Sequence, residues 1–126
     1  MNKDNRFSFH GRLKSFQYAF EGLLQFFKTE HNAWLHLLAS VVVIILALVV
    51  GVSQTEAIAL VIAVALVWIT EMLNTCIEKA MDFIAEEYHP KIRIIKDISA
   101  GAVMVAAMAA LLIGFFVFIP KFFNAN

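Results

Sequence analysis

Three long apolar runs constrain the fold of this chain more than any other feature of its sequence. Residues 33–50 carry only His36 and Ser40 as polar side chains, residues 57–69 carry none, and residues 98–119 carry no charge. About 20 apolar residues are enough for a helix to cross a bilayer core. Hydrophobic residues make up 61% of the chain, well above the roughly 45–50% of soluble domains. We therefore predict three transmembrane helices.

These runs lead us to predict one all-α, polytopic membrane domain over residues 1–126. No Gly or Pro interrupts the second helix after its apolar run, so we expect it to project beyond the lipid as a stalk. Proline breaks or ends helices, and we expect the last helix to end before Pro120. The expected helices cover about residues 8–28, 32–50, 55–85 and 92–119.

The segment before the first span has the pattern of an amphipathic helix. Its apolar side chains recur at steps of three and four, whereas Lys14 and Tyr18 fall on the other side. This pattern is typical of a helix that lies in the membrane interface with its apolar face toward the lipid. The apolar positions are Phe9, Leu13, Phe16, Phe20, Leu23 and Phe27.

The positions of the basic residues predict the topology. The loop at residues 51–56 has no Lys or Arg, and the net charge of +0 gives no sign of a nucleic-acid partner. Basic residues precede the first span and cluster between the second and third. The positive-inside rule therefore places the N-terminus and the second loop in the cytoplasm. The residues concerned are Lys3, Arg6, Arg12, Lys14, Lys28, Lys79, Lys91, Arg93 and Lys96.

Two further sequence features concern association and redox chemistry. Small residues recur every four positions in the third span, at Ala102, Ala106, Ala110 and Gly114. Such a ridge permits close helix contacts in lipid, and we expect the chain to associate with itself. Cys76 is the single cysteine, which excludes an intramolecular disulfide framework and a cluster of thiolate ligands.

A stripe of polar side chains begins where the second apolar run ends. Its residues lie within about 60° of one line along a helix and cover about 16 Å of it. A carboxylate at mid-bilayer costs roughly 2.5–3.5 kcal/mol on insertion scales, so these acids call for a functional explanation. The stripe consists of Glu71, Asn74, Thr75, Glu78 and Asp82.

Two other segments are predicted to lie at the same depth in the membrane as this polar stripe. Glu30, Asn32 and His36 stand at the start of the first span, and Lys96 and Asp97 at the start of the third. Carboxylates this close repel one another unless something compensates them. Mg2+ binds carboxylate and phosphate oxygens, so the arrangement suits phosphoryl transfer to a lipid hydroxyl, where catalysis depends on positioning and charge neutralisation.

Two other interpretations of the acidic cluster remain open on these grounds. The neighbouring basic residues could form a purely structural ion-pair collar with the acids. Alternatively, an oligomer could pass cations along Glu71 and His36 as a transporter or channel, although the outer part of the second span is wholly apolar. The chain has no Walker-type glycine loop and no protein-kinase motif, so ATP binding would not use a familiar nucleotide fold.

The sequence resembles the small integral-membrane diacylglycerol kinases of bacteria. "EMLNTCIEKAMD" at residues 71–82 is similar to their signature E-x-x-N-[ST]-x-I-E-x-x-x-D. Glu30, "EYH" at residues 87–89, "KD" at residues 96–97 and "RLKSFQYAFEG" at residues 12–22 occur in matching order. The resemblance implies a homotrimer with shared active sites in the bacterial inner membrane. It also implies phosphorylation of a lipid hydroxyl with ATP as co-substrate and Mg2+ as cofactor.

The resemblance also implies roles for individual residues. Glu71 would be the catalytic base with Asn74 beside it, and Glu30 and Glu78 would hold the Mg2+ that bridges the nucleotide phosphates. Lys96 would neutralise phosphate charge. The residues expected around the nucleotide are Arg12, Tyr18, Glu30, Glu78, Glu87, Tyr88, His89, Lys96 and Asp97.

The lipid substrate stays open between two branches of the family. Asn32 and His36 look more like the undecaprenol kinase branch, in which they would contact the lipid together with Glu71. The reaction would then yield undecaprenyl phosphate, whereas the diacylglycerol branch would yield phosphatidate.

Overall fold

The computed structural model is all-helical and describes residues 8–124, so Lys3 and Arg6 lie outside the described residues. Three of its helices are long and apolar enough to cross a membrane, as the apolar runs predict. The chain is accordingly a multi-pass membrane protein. The helices are α1 (Phe9–Thr29), α2 (His31–Val50), α3 (Gln54–Ile84) and α4 (Pro90–Phe123).

The chain divides after Leu35 into two compact units. In the first unit, α1 is followed by the first turn of α2, and the turn between them is held by aromatic side chains. The Trp34 indole donates a hydrogen bond to the Phe27 carbonyl at 3.0 Å. Their rings also meet edge to face, with centroids 5.5 Å apart. The Glu30 N–H donates to the Phe26 carbonyl and closes α1.

Helix α1 begins at a serine cap. The Ser8 hydroxyl accepts the Gly11 N–H at 3.0 Å, which satisfies one of the donors that a helix start leaves free. Several phenylalanines of α1 are well exposed in the chain, among them Phe9, Phe16 and Phe20. Their placement in the membrane interface stays a prediction.

The second unit consists of the rest of α2 together with α3 and α4. Helices α3 and α4 pack against each other in antiparallel directions. A small core forms around Leu60, Val117 and Phe118, against which Val43 and Leu46 of α2 pack. Most other large apolar side chains are exposed, as expected where lipid and not water is the solvent.

A tight turn joins α2 to α3. Gly51 has φ +70, a conformation that glycine adopts without steric cost. The Val52 N–H then donates to the Ala47 carbonyl at 3.3 Å, which is the Schellman bond that ends many helices. The next helix starts with a capping box, in which Ser53 and Glu56 each accept the other's backbone N–H.

The two prolines have different positions in α4. Pro90 is its first residue and follows the cap residue His89, a position where the missing N–H costs nothing. Pro120 lies inside the helix, which runs on to Phe123 and so passes the predicted end. Its ring nitrogen has no hydrogen to donate to the carbonyl one turn back, whereas the Asn124 N–H still donates to the Pro120 carbonyl at 2.9 Å.

We call the two ends of the α3–α4 pair the Gly51 end (residues 51–60 and 113–123) and the Pro90 end (residues 78–97). Helix α3 has 31 residues and α4 has 34. At 1.5 Å per residue, each helix is longer than the roughly 30 Å of a bilayer core. Each helix is therefore long enough to extend beyond the hydrocarbon.

Candidate functional site

The polar stripe of α3 is partly buried inside the second unit. Glu71 is 6% exposed and Thr75 is 7% exposed. The Asn74 amide N–H donates to the Glu78 carboxylate at 3.5 Å. The Asn74 Oδ1 atom is buried and accepts no hydrogen bond from any residue in the range 8–124. Buried acceptors are normally satisfied, so this atom has capacity for a ligand.

Glu71 meets a residue of α2 that the sequence also singled out. The His36 Nε2 atom lies 3.6 Å from Glu71 Oε2, and the His36 side chain is 26% exposed. This distance is too long for a hydrogen bond but close enough for an electrostatic contact. The structure thus brings together two residues that lie 35 positions apart in the chain.

A second link between α2 and α3 lies one turn away. The Trp68 indole donates to the Ser40 hydroxyl at 2.9 Å. The Ser40 hydroxyl donates in turn to the His36 carbonyl at 2.6 Å. Sequence reasoning missed Ser40 and Trp68 as site residues. Their spacing could have indicated them, since Ser40 lies one helical turn from His36 and Trp68 lies one helical turn from Glu71.

Ion pairs between charged side chains are found at the Pro90 end. Lys96 of α4 pairs with Asp82 of α3 at 2.5 Å. Arg93 donates to both carboxylate oxygens of Asp97 at 3.3 Å, one turn apart on α4. Lys96 therefore reaches the polar stripe of α3, whereas Asp97 is engaged on its own helix. The pairing of Arg93 with Asp97 was not predicted, although their spacing of four is a standard signal for it.

A cavity of about 170 Å³ opens at the Pro90 end between α3 and α4. Four of the predicted nucleotide residues line it, and Asp97 does not. Its walls also carry both members of the Lys96–Asp82 pair, so the lining has charges of both signs. The lining residues are Asp82, Ala85, Glu86, Glu87, Tyr88, His89, Ile92, Arg93 and Lys96.

A larger apolar cavity of about 570 Å³ lies among α2, α3 and α4. His36, Ser40 and Trp68 are its polar side chains, and Ala110 and Gly114 line it further along α4. Part of the small-residue ridge thus faces the chain's own interior, where Ala106 is also buried. The homotrimer stays a prediction. The lining suits a hydrocarbon chain whose polar end lies near His36.

The remaining predicted residues belong to the first unit. Arg12 and Tyr18 are exposed on α1, Glu30 is the cap residue at the end of α1, and Asn32 lies in the first turn of α2. Their roles in binding nucleotide, metal and lipid stay predictions.

The polar stripe of α3 offers oxygen atoms of the kind that Mg2+ binds. Within residues 8–124, no three His, Cys, Asp or Glu side chains come together to hold a metal. The Glu78 carboxylate contacts the Asn74 amide through its nitrogen, and the buried Asn74 Oδ1 atom, which accepts no hydrogen bond from residues 8–124, is a further oxygen on this face of the helix. Amide and carboxylate oxygens are ligands of the type that Mg2+ takes, and the ion commonly completes its shell with phosphate oxygens and water. The residues present therefore fit the ion.

Comparison with known proteins agrees with the sequence signature. The family described as prokaryotic diacylglycerol kinase matches residues 17–118. The undecaprenol kinase of Bacillus subtilis (strain 168) is 34% identical over 120 residues, which cover 95% of this chain and 98% of that protein. The diacylglycerol kinase of Synechocystis sp. (strain ATCC 27184 / PCC 6803 / Kazusa) is 36% identical over 109 residues, which cover 86% of this chain and 62% of that protein.

Proposed function

Because the chain belongs to the prokaryotic diacylglycerol kinase family, we propose that it is a lipid kinase. It transfers the γ-phosphoryl group of ATP to the free hydroxyl of a membrane lipid. The observation that carries this proposal is Glu71, a carboxylate only 6% exposed in an apolar helix, at the head of a polar stripe that leads to the Pro90 end.

Glu71 is the general base of the proposed reaction. Its carboxylate accepts the proton of the lipid hydroxyl while the hydroxyl oxygen forms a bond to the γ-phosphorus. The bond from the γ-phosphorus to its bridging oxygen breaks, and ADP leaves. Asn74 lies one turn further along the same face, next to the base.

Glu78 and Glu30 would hold Mg2+, which supplies charge neutralisation on the phosphates when it is bound. Glu78 is kept in place on α3 by the Asn74 amide. Glu30 lies at the end of α1, and we propose that it serves the same site or that of a neighbouring subunit in a homotrimer.

The nucleotide phosphates bind at the Pro90 end. Lys96 supplies a positive charge there, and it exchanges Asp82 for a phosphate when ATP binds. Glu87, Tyr88 and His89 line the same cavity, and Asp97 lies on the next residue of α4. Arg12 and Tyr18 contribute from α1. We place this end in the cytoplasm of a bacterial cell, at the inner membrane, where ATP is available.

Undecaprenol is the first lipid to test and diacylglycerol the second. The undecaprenol kinase of B. subtilis matches over 98% of its length, whereas the diacylglycerol kinase of Synechocystis matches over 62% of its length. Asn32 and His36 would contact the lipid near its hydroxyl, and the 570 Å³ cavity beside His36 is suited to its hydrocarbon chain. The alternative of a cation transporter gains no support, since residues 57–67 of α3 offer no polar path.

The direct test is an assay of the purified chain in mixed micelles with γ-labelled ATP. Undecaprenol and diacylglycerol are supplied separately, each with Mg2+ and with EDTA. We expect label in the extracted lipid with at least one substrate, and only with Mg2+. Absence of labelled lipid with both substrates would overturn the proposal, and ATP-independent cation flux in liposomes would favour the transporter instead.

A further inference from the structure

We propose that Ser40 and Trp68 form a positioning bridge, which holds His36 beside Glu71 and thereby orients the carboxylate for catalysis. This inference rests on the proposed function, because it concerns the same base. It assigns a positioning role to two residues that touch neither the reacting atoms nor the nucleotide in the account above.

The contacts form two rungs between α2 and α3. The first rung joins His36 to Glu71, with 3.6 Å between Nε2 and Oε2. The second joins Ser40 to Trp68, with 2.9 Å between Oγ and Nε1. The rungs are four positions apart on α2 and three positions apart on α3. These spacings keep both rungs on one face of each helix, so together they fix the rotation and register of the two helices.

The two rungs differ in their ability to hold that register. At 3.6 Å the His36–Glu71 contact is not a hydrogen bond, and a small sliding of α2 would remove it. The Trp68 indole donates a true hydrogen bond, as its distance of 2.9 Å indicates. The Ser40 hydroxyl passes the link on to the His36 backbone, since it donates to that carbonyl at 2.6 Å. The second rung therefore supports the first.

The surroundings make this hydrogen bond effective. Trp68 and Ser40 lie in apolar runs, where a polar group that loses its partner finds no water to replace it. The Trp68 ring also stands beside the His36 imidazole, with centroids 6.3 Å apart. Removal of either the hydroxyl or the indole N–H should let His36 move away from Glu71.

The first test uses Ser40→Ala and Trp68→Phe, each assayed with the lipid that the wild-type chain phosphorylates. We expect kcat to fall about tenfold, since small misplacements of a catalytic group have effects of at least this size, while KM for MgATP changes by less than about twofold. Ser40→Thr keeps the hydroxyl and should keep kcat. Ser15→Ala removes a comparable hydroxyl bond, to the Gly11 carbonyl on α1, and should leave kcat unchanged.

Two further measurements separate positioning from packing. In a His36→Ala background, Trp68→Phe should cause no additional loss of kcat, because the bridge then has nothing to position. Nitrogen NMR of labelled histidine should show the His36 imidazole signal shifted in Ser40→Ala, Trp68→Phe and Glu71→Gln, with the signals of His10 and His31 unmoved.

The outcomes are distinguishable. Active wild-type protein with unchanged kcat in Ser40→Ala and Trp68→Phe would overturn the bridge and leave the kinase proposal intact. A shifted His36 signal without loss of kcat would also overturn it, since the link would then be structural only. A wild-type chain that phosphorylates neither lipid would overturn the kinase proposal and the bridge together.

Discussion

The two ends of the α3–α4 pair each carry an ion pair between the helices, yet the acids concerned are held differently. At the Gly51 end, Glu56 lies 3.0 Å from Lys121 and also accepts the Ser53 N–H at 2.8 Å. At the Pro90 end, Asp82 is paired with Lys96 beside a charged cavity. The first acid completes a helix cap, whereas the second completes no structural motif of its own helix.

Helix electrostatics sharpen this difference. Glu56 lies in the first turn of α3, where the helix dipole favours a negative charge. Asp82 lies in the last turn of the same helix, where the dipole disfavours a negative charge. Glu71 lies between them and is buried. The carboxylates in unfavourable surroundings, Glu71 by burial and Asp82 by the helix dipole, therefore lie between the middle of α3 and the Pro90 end. We place the phosphoryl transfer there.

The largest effect that we expect is that of Glu71→Gln. A general base typically contributes about 10²–10⁴-fold to the rate, so kcat for lipid phosphorylation should fall by this factor, while binding of MgATP is largely spared. Steady-state kinetics and a nucleotide-binding titration measure the two quantities. Glu21→Gln, on exposed α1, is the control, and a loss of MgATP binding equal to the loss of rate would contradict the assignment.

Lys96→Gln should have the next largest effect. A hydrogen bond to a charged group contributes about 1.5–3 kcal/mol, which corresponds to roughly a 10–100-fold rise in KM for ATP. Lys121→Gln removes the matching lysine at the Gly51 end and should leave this KM unchanged. Equal effects of the two substitutions would remove the functional distinction between the two ends.

Glu78→Gln should act on the metal requirement. Loss of one carboxylate ligand should raise the Mg2+ concentration for half-maximal rate by at least about tenfold, since mutation even of a ligand's outer-shell partner costs about 10–100-fold in metal affinity, and added Mg2+ should restore part of the rate. Titration of the rate with Mg2+ at saturating ATP measures this shift. An unchanged Mg2+ dependence would show that Glu78 does not hold the ion.

The smallest effect is expected for Glu56→Gln, and it should be on stability. Exposed ion pairs contribute little to stability and a helix cap contributes modestly, so the unfolding midpoint in detergent should fall slightly. The rate of lipid phosphorylation should stay at the wild-type level. A large loss of rate in a variant that remains folded would place function at the Gly51 end as well.

Much of the fold follows from local sequence signals. The three apolar runs each become a long helix, because hydrophobic length alone determines that outcome in lipid. The passage of α4 through Pro120 was not predicted, because proline normally ends or kinks a helix and no local pattern marks this position as an exception.

The sequence predicts which site residues share a face of one helix, but not which residues of different helices come into contact. The periodicity of α3 places Glu71, Asn74 and Glu78 on one face, which the structure retains. The contact of Trp68 with Ser40 depends on the rotation of α2 against α3, which no local pattern specifies. The meeting of Glu30 with Glu78 depends on how α1 and other subunits are placed, and it stays a prediction for the same reason.

The most direct test compares one acid from each end of α3 under identical conditions. The initial rate of phosphate transfer from ATP to undecaprenol or diacylglycerol is measured for wild type, Glu71→Gln and Glu56→Gln in the same micelles. Our account predicts that Glu56→Gln transfers phosphate at the wild-type rate and that Glu71→Gln transfers almost none. Transfer by Glu71→Gln at the wild-type rate would contradict it.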